Sequence, residues 1–532
     1  LQRGQLPDFM ADFPSIFNRK GRFLAGLDSI DNELVTLGLN PDTIRKHQQA
    51  LVRLMSGKVR KFLPVIDTCR PGNGGILNLS QSVESLHGVG GSGLRAPFAA
   101  FIPAAGAASR YIRLLADLEL AAESGDKATA AAAVEALKTQ GARNWPLPPL
   151  LSQLVGNPDL CRTLTTADFE KLRTETTMPK ALMPCVAEGD SFLSVKLREH
   201  RSLIQVGEEV YIAPPGQGEH FDSEIRTLSQ NLAPMPVRVL EQHGGLSTVR
   251  FHPDGRPFLD KSGKPSVVPA GHGTLTELFP ACAGKVHSLF IRNIDNVMGN
   301  TPDVVATTSA FLTLHDKILT LLGAVRKALA ASDAAAAAVA ARPLLTLGKA
   351  ELTPPSDDPL ATLAHLQRNF FHSEVSEKPS LTELRQLFER PLNILGQVPN
   401  TGKDIGGTPC FVTYRDKSVK ICLEVPHASP EDKQNFLANP EKATHFNPVF
   451  AAAEIVADKD YYQKKNEDFW LMAEKSYQGA PVIYYETVLY ELIGNSSLAN
   501  TLFVEVPRIV FNPHKTLSDA SSNSVSRWLP NP

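Results

Sequence analysis

The chain has 532 residues, more than one ordinary domain core holds, so two or three units are expected. It is 42% hydrophobic and 21% charged with a formal net charge of −2, which excludes a general attraction to nucleic acid or to an anionic membrane. No window reaches the ~18 uninterrupted apolar residues of a membrane span and the opening LQRGQLPDFMADFPSIF has no apolar signal core, so a soluble cytoplasmic protein is expected.

Residues 1–95 read as a helical N-terminal region, with Ile44, Leu51, Leu54 and Met55 on one face of IRKHQQALVRLM. Residues 96–390 then read as a core. Phe98–Ile102 is a short apolar run that fits a buried strand, and Tyr111, Leu114, Leu115 and Leu118 recur on one helix face. Between them lies a turn of small residues from Ala104 to Arg110. Such a turn can aim backbone N–H groups at a phosphate, with Arg110 gripping its oxygens, or it can simply let strand and helix pack closely. The Ala-rich stretch within 121–175 reads as an insert, a helical surface hairpin outside the core. Pro179-Lys180 returns to the core, and Lys180 takes its meaning from its neighbours. EVYIAPP, PVRVLEQ and TVRFHPDGRPF are strand-like. Gln242 ends one of these runs, where its amide can read an amide-bearing base edge or cap a turn.

The segment PAGHGTLTELFPACAGKVHSLFIRNIDNVMGN carries the densest signal. The loop Gly271-His272-Gly273 opens a short helix, and a glycine turn lets a ligand approach the backbone. An apolar run then delivers Asn293-Ile294-Asp295-Asn296 to the carboxyl end of a strand, the edge where open α/β sheets bind ligands. An Asp there can hold Mg²⁺ against a phosphate, since Mg²⁺ takes one or two carboxylates and leaves its other positions to phosphate and water. Residues 301–385 read as a second helical insert, with no repeat period or sustained heptad. Residues 391–520 resume strand character in RPLNILGQVPN, CFVTY and SVKICLEV, and close with TLFVEVPRIVFNPHKTLSD, whose Pro-containing turn presents Lys515. A polar tail, 521–532, follows. Six scattered cysteines without a CxxC pair point to reduced, buried thiols.

Taken in order, these pieces resemble the UDP-sugar pyrophosphorylases, nucleotidyltransferases of GT-A-like fold. The resemblance rests on Gly106–Arg110, Pro179-Lys180, Gln242, PAGHG, NIDN and VPRIVFNPHKTLSD. The chain looks closer still to a related bacterial family of unassigned function that pairs PASGAASR-like loops with GGHG and HFNPV segments. The opening loop departs from the pyrophosphorylase pattern in having one glycine where three are usual, and Ser109 stands where Thr is usual. The resemblance implies an α/β fold with a Rossmann-like GT-A core and a mixed sheet. It implies Mg²⁺-dependent transfer of a nucleotide, UTP by preference, to a sugar 1-phosphate with release of pyrophosphate. Arg110 and Lys180 would hold the triphosphate. Gly106, Ala107, Ser109, Gln242, Gly271, His272 and Gly273 would bind the nucleotide, Asp295 the metal, and Lys515 the attacking phosphate. Asn293, Gly407, Glu424 and Asn447 would contact the sugar. Two rivals remain: transfer to another phosphate, a phosphonate or a protein side chain, and a non-catalytic nucleotide-sugar sensor on the same fold.

Overall fold

The structure is a computed structural model that describes residues 30–55, 62–93, 96–106, 116–139, 147–176, 178–185, 190–260, 263–284, 286–347, 356–402, 406–414, 416–463, 472–477 and 480–515. These form two compact units. The larger draws on the described residues within 63–242, 275–465 and 489–515; the smaller draws on those within 30–62, 243–274 and 466–488.

The larger unit is built on a mixed sheet in the order Leu77–Asn78, Asn500–Glu505, Leu392–Pro399, Phe450–Glu454, Ser288–Arg292, Phe98–Pro103, Val206–Ala213 and Val237–Glu241. Neighbours run parallel except at Phe450–Glu454, which opposes the strands on both sides, and at His445–Phe446, a short antiparallel addition to the Leu392 strand. FAAFIP and SLFIR are almost wholly buried. Strands covered on both faces read as continuous apolar runs, which is why they stand out in the sequence. The parallel strands bring Pro103, Ala213, Glu241, Arg292, Pro399 and Glu505 to one carboxyl edge, and the opposed Phe450 strand starts there. This is the α/β class with a Rossmann-like mixed sheet. A second, antiparallel sheet joins Val65–Thr68, Thr408–Tyr414 and Lys417–Leu423.

Three readings of the sequence need correction. The stretch 121–175 is more than a surface hairpin. Helices Ala116–Ser124, Lys127–Thr139, Pro149–Gly156 and Thr166–Thr176 share a core of their own, with Leu118, Val134, Leu137, Leu151, Leu154 and Leu172 buried in it. The helices of 301–385, read as an insert, are continuous with the core. Pro302–Ala330 and Ala334–Leu345 bury Phe311, Leu314, Ile318, Leu322, Ala337 and Ala341 in the same cluster as the sheet residues Phe98, Phe290 and Ile394. The alanine run serves close helix packing, because a methyl group lets backbones approach. Finally, 1–95 is not one helical region: Val65–Thr68 and Leu77–Asn78 are strands of the larger unit, whereas the described residues before 62 belong to the smaller.

In the smaller unit, helix Pro41–Met55 turns Ile44, Leu51 and Leu54 toward Val249, Phe251, Ile483 and Tyr485. Those partners come from the hairpins Ser247–Val249 with Val267–Pro269 and Met472–Tyr477 with Ala480–Tyr485, or lie beside them. All six cysteines are free and buried. Among the described residues no helix is long and apolar enough to cross a membrane.

Candidate active site

The strand Ser288–Arg292 ends at the carboxyl edge, and the turn Asn293–Asn296 follows it directly. Backbone and side-chain bonds stitch this turn to the segment 510–514. The Asn296 amide donates to the Val510 carbonyl (3.0 Å) and its Oδ1 accepts from the Asn512 N–H (2.8 Å), while the His514 N–H donates to the Asp295 carbonyl (2.8 Å). His514 is fully buried; its Nδ1 lies 2.6 Å from the Cys185 carbonyl, and its Nε2 lies 3.2 Å from the Asn512 amide nitrogen. One tautomer satisfies both contacts, with Nδ1 donating and Nε2 accepting. His514 thereby fixes the backbone that carries Lys515, which is itself half-buried. Asn293 and Asp295 are also partly exposed at this turn.

Lys180 enters the same corner from a distant part of the chain. It begins the short helical turn Lys180–Leu182 after Pro179 and is only 8% exposed. Its ammonium donates to the His514 carbonyl (2.9 Å), sits 3.3 Å from Asp295 Oδ2, and lies 5.0 Å from the centre of the Phe192 ring. Lys180, Asp295 and the His514-Lys515 dipeptide therefore converge at the carboxyl edge.

Beneath the turn lies an ionic cluster that the sequence reading passed over. Helix Phe192–Arg201, capped by Ser191, supplies Lys196 and Glu199, and the Ser288 strand supplies Arg292. Glu199 Oε2 accepts from Lys196 (2.9 Å) and from Arg292 (2.7 Å), and Oε1 accepts from the Gly299 N–H (2.9 Å). Arg292 also donates to the Asn296 carbonyl (2.9 Å), as does Lys196. All three side chains are essentially out of water. Burial, then the nearby Arg292, hold the Lys196 ammonium down at about 8. Burial alone would raise the Glu199 carboxyl, but Arg292 and Lys196 together outweigh it and keep the group below its ordinary value. Two cations against one carboxylate leave a net positive charge under Asp295, which favours an anion above it. The available signal was the presence of single charges inside otherwise apolar runs, SLFIR and FLSVKL.

The other candidates separate clearly. Gly106 is described and exposed just past the Phe98 strand, while Ala107, Ser109 and Arg110 lie outside the described residues. Gln242 is partly exposed at the same edge, its N–H donating to the Ala213 carbonyl (2.9 Å). Beside it Glu241 accepts from the N–H groups of Gly216 (2.9 Å) and Gly218 (2.7 Å), tying down the loop that leads into helix Gly218–Leu228. Glu424 is partly exposed at the end of the strand Lys417–Leu423. Two expected sugar contacts are scaffolding instead. Asn447 is fully buried; its amide donates to the Gly396 and Phe450 carbonyls, and its Oδ1 accepts from Val449 N–H and Tyr490 O–H. Gly407 is buried, and a Cβ there would stand 2.6 Å from Cys422 Sγ and 2.7 Å from the Tyr490 ring. Within the smaller unit, Gly271 and Gly273 owe their missing side chains to the chain itself. A Cβ on Gly271, whose φ is +86°, would stand 2.2 Å from the Thr487 carbonyl oxygen; one on Gly273 would meet Thr487 and Val488 at 2.7 Å. The Gly273 N–H is already given to Thr487 (3.1 Å). His272 between them is exposed.

Asp295 and the His514 carbonyl present two hard oxygen donors to one point, and the Lys180 ammonium occupies that point as a cation. The donor set suits Mg²⁺. Among the described residues no group of three His, Cys, Asp or Glu side chains forms a closed cage, so a metal there would complete its shell from phosphate and water.

The model of a family described as a domain of unknown function, DUF4301, matches residues 218–523. The chain belongs to the DUF4301 family. The match contains the NIDN turn, HFNPV and the segment ending in Lys515, while Lys180, Lys196 and Glu199 precede it. No curated protein matches. Among solved structures, a mutant UDP-glucose pyrophosphorylase from Leishmania major in complex with UDP-glucose is 12% identical, with 93% of this chain and 78% of that one covered at a TM-score of 0.45. A putative UDP-N-acetylglucosamine pyrophosphorylase from Entamoeba histolytica is 11% identical, with 85% and 82% covered and a TM-score of 0.39.

Proposed function

We propose that this DUF4301 chain is a nucleotidyltransferase that joins a nucleoside triphosphate, UTP by preference, to a sugar 1-phosphate and releases pyrophosphate. The observation that carries this is the convergence of Lys180, Asp295 and the Lys515 backbone at the carboxyl edge, above a buried cluster with excess positive charge. In such a transfer an acceptor phosphate oxygen bonds to the α-phosphorus while the bond to the α–β bridging oxygen breaks. Little covalent help is needed; positioning and charge neutralisation supply the rate. Lys180 binds the triphosphate and meets the charge that accumulates on departing pyrophosphate, and Arg110 joins it from the small-residue loop. Lys515 holds the acceptor phosphate, Gln242 faces the base, and Asn293 and Glu424 contact the acceptor sugar. Asp295, with the His514 carbonyl, would hold Mg²⁺, which when bound screens phosphate oxygens from one another. Lys196, Glu199 and Arg292 keep the Asn293–Asn296 turn in place.

The test is pyrophosphate release from each nucleoside triphosphate against a panel of sugar 1-phosphates with Mg²⁺. Asp295→Ala and Lys515→Ala are each expected to lower turnover at least about a hundredfold, the scale for one placed charge-stabilising group. Turnover that survives either change removes that residue from the mechanism. Silence of the wild-type protein across the panel removes the assignment.

A further inference from the structure

We propose that Lys180 is a resident cation that keeps free divalent metal off Asp295, so that metal enters this site only with, or after, a triphosphate that draws the lysine away. The inference rests on the nucleotidyltransferase assignment and concerns how the same site is loaded.

The ammonium stands 3.3 Å from Asp295 Oδ2 and 2.9 Å from the His514 carbonyl oxygen, the two oxygens a hard metal would take. One such corner does not hold an ammonium and a dication together, because like charges a few ångström apart repel strongly where water is scarce. Lys180 is also seated firmly. The Leu182 N–H bonds back to the Pro179 carbonyl (3.0 Å) and the Met183 N–H to the Lys180 carbonyl (3.1 Å), while Phe192 lies under the ammonium. The charges nearby act in the same direction. Before Lys515 is counted, the described groups of this corner are three cations (Lys180, Lys196, Arg292) against two carboxylates (Asp295, Glu199). A dication arriving alone meets that excess. A triphosphate reverses its sign and offers Lys180 a better partner than a single partly exposed carboxylate. The freed Asp295 and the phosphates then share the metal. By linkage, whatever the nucleotide gains from the metal the metal gains from the nucleotide.

Mn²⁺ serves as the probe, its free concentration read by electron paramagnetic resonance on the full chain. Wild type without nucleotide is expected to bind Mn²⁺ weakly. Lys180→Met is expected to bind it at least about tenfold more tightly, the low end of what one neighbouring charge does to an ionic equilibrium. Lys180→Arg, which keeps the charge, should stay weak. Adding Asp295→Asn to Lys180→Met should abolish the gain, showing that it passes through Asp295. Lys180→Gln repeats the test if the methionine variant fails to fold. If neither neutral variant binds Mn²⁺ more tightly than wild type, or if the gain persists without Asp295, the proposal is overturned. Pyrophosphate release by the wild type reports separately on the assignment beneath it. Release without the gain removes the gate and leaves the enzyme; the gain without release leaves the gate on a site of another chemistry.

Discussion

Glu199→Gln keeps the shape of the buried side chain and removes the one carboxylate that Lys196 and Arg292 share. Both cations contact Glu199 Oε2, at 2.9 and 2.7 Å, so they stand no more than about 5.6 Å from each other. At an effective dielectric constant of about 20 their uncompensated repulsion is about 3 kcal/mol, which agrees with the 3–5 kcal/mol scale for breaking a buried ion pair from one side. The molecule has one escape, because Lys196 already loses its proton near pH 8. The cost of the substitution is therefore expected to be about 3 kcal/mol at pH 6.5 and to shrink as the pH rises past 8 and the amine becomes neutral. Lys196→Met leaves Arg292 and Glu199 as a balanced pair, and its cost is expected to stay under about 1 kcal/mol. Urea unfolding followed by far-ultraviolet circular dichroism at pH 6.5 and 9.5 measures all four values. The charge account is refuted if Glu199→Gln costs no more than Lys196→Met, or if its cost is the same at both pH values.

Lys420 is only 2% exposed in the strand Lys417–Leu423, 5.4 Å from the Phe503 ring centre, and burial holds its ammonium down from 10.5 to about 8. The folded state therefore resists the charged form, and the penalty is fully present below pH 8, fades as the pH rises through 10.5 and is gone above. At about 1.4 kcal/mol per pH unit this comes to about 3 kcal/mol, so Lys420→Met should raise the unfolding midpoint at pH 7 and have no such advantage near pH 11. An unchanged advantage at both ends sinks the account. Gly271→Ala should destabilise the smaller unit by roughly 1–3 kcal/mol from the φ of +86°, before the clash with Thr487 is added, whereas Gly156→Ala, with open space around it, should be near neutral. Thermal unfolding of the two variants, compared with wild type, checks this pair. If Asn447 is scaffolding, Asn447→Ala should lower stability by about 1–3 kcal/mol through its orphaned partners, and acceptor KM should not rise selectively.

The strands of the main sheet were legible because a strand buried on both faces reads as a largely apolar run, as FAAFIP does and as SLFIR does up to its terminal arginine. Lys180, Asp295 and Lys515 were legible as residue types in suggestive places. Their meeting was expected only through the family resemblance, because nothing local ties Pro179-Lys180 to a turn more than a hundred residues later. Gly271 and Gly273 show a different limit. A glycine reports that a Cβ is excluded, but not whether a ligand or Thr487 occupies the space. Asn447 is similar, since an amide reads the same in sequence whether it faces a sugar or the Gly396 carbonyl. The alanines of 334–341 suit solvent and close packing equally, and only the neighbouring helix decides between them.

The smaller unit is assembled from stretches that leave the ribosome far apart in time. The Pro41–Met55 segment is translated early and Val249 and Phe251 follow it, yet the Ile483 and Tyr485 part of the surface that covers its apolar side is translated only after residue 465. Closing so long a loop carries an entropic delay, and contacts of such sequence separation form late. During synthesis the Ile44, Leu51 and Leu54 side chains are therefore expected to stay partly uncovered until the last hairpin emerges, an apolar surface open to wrong contacts.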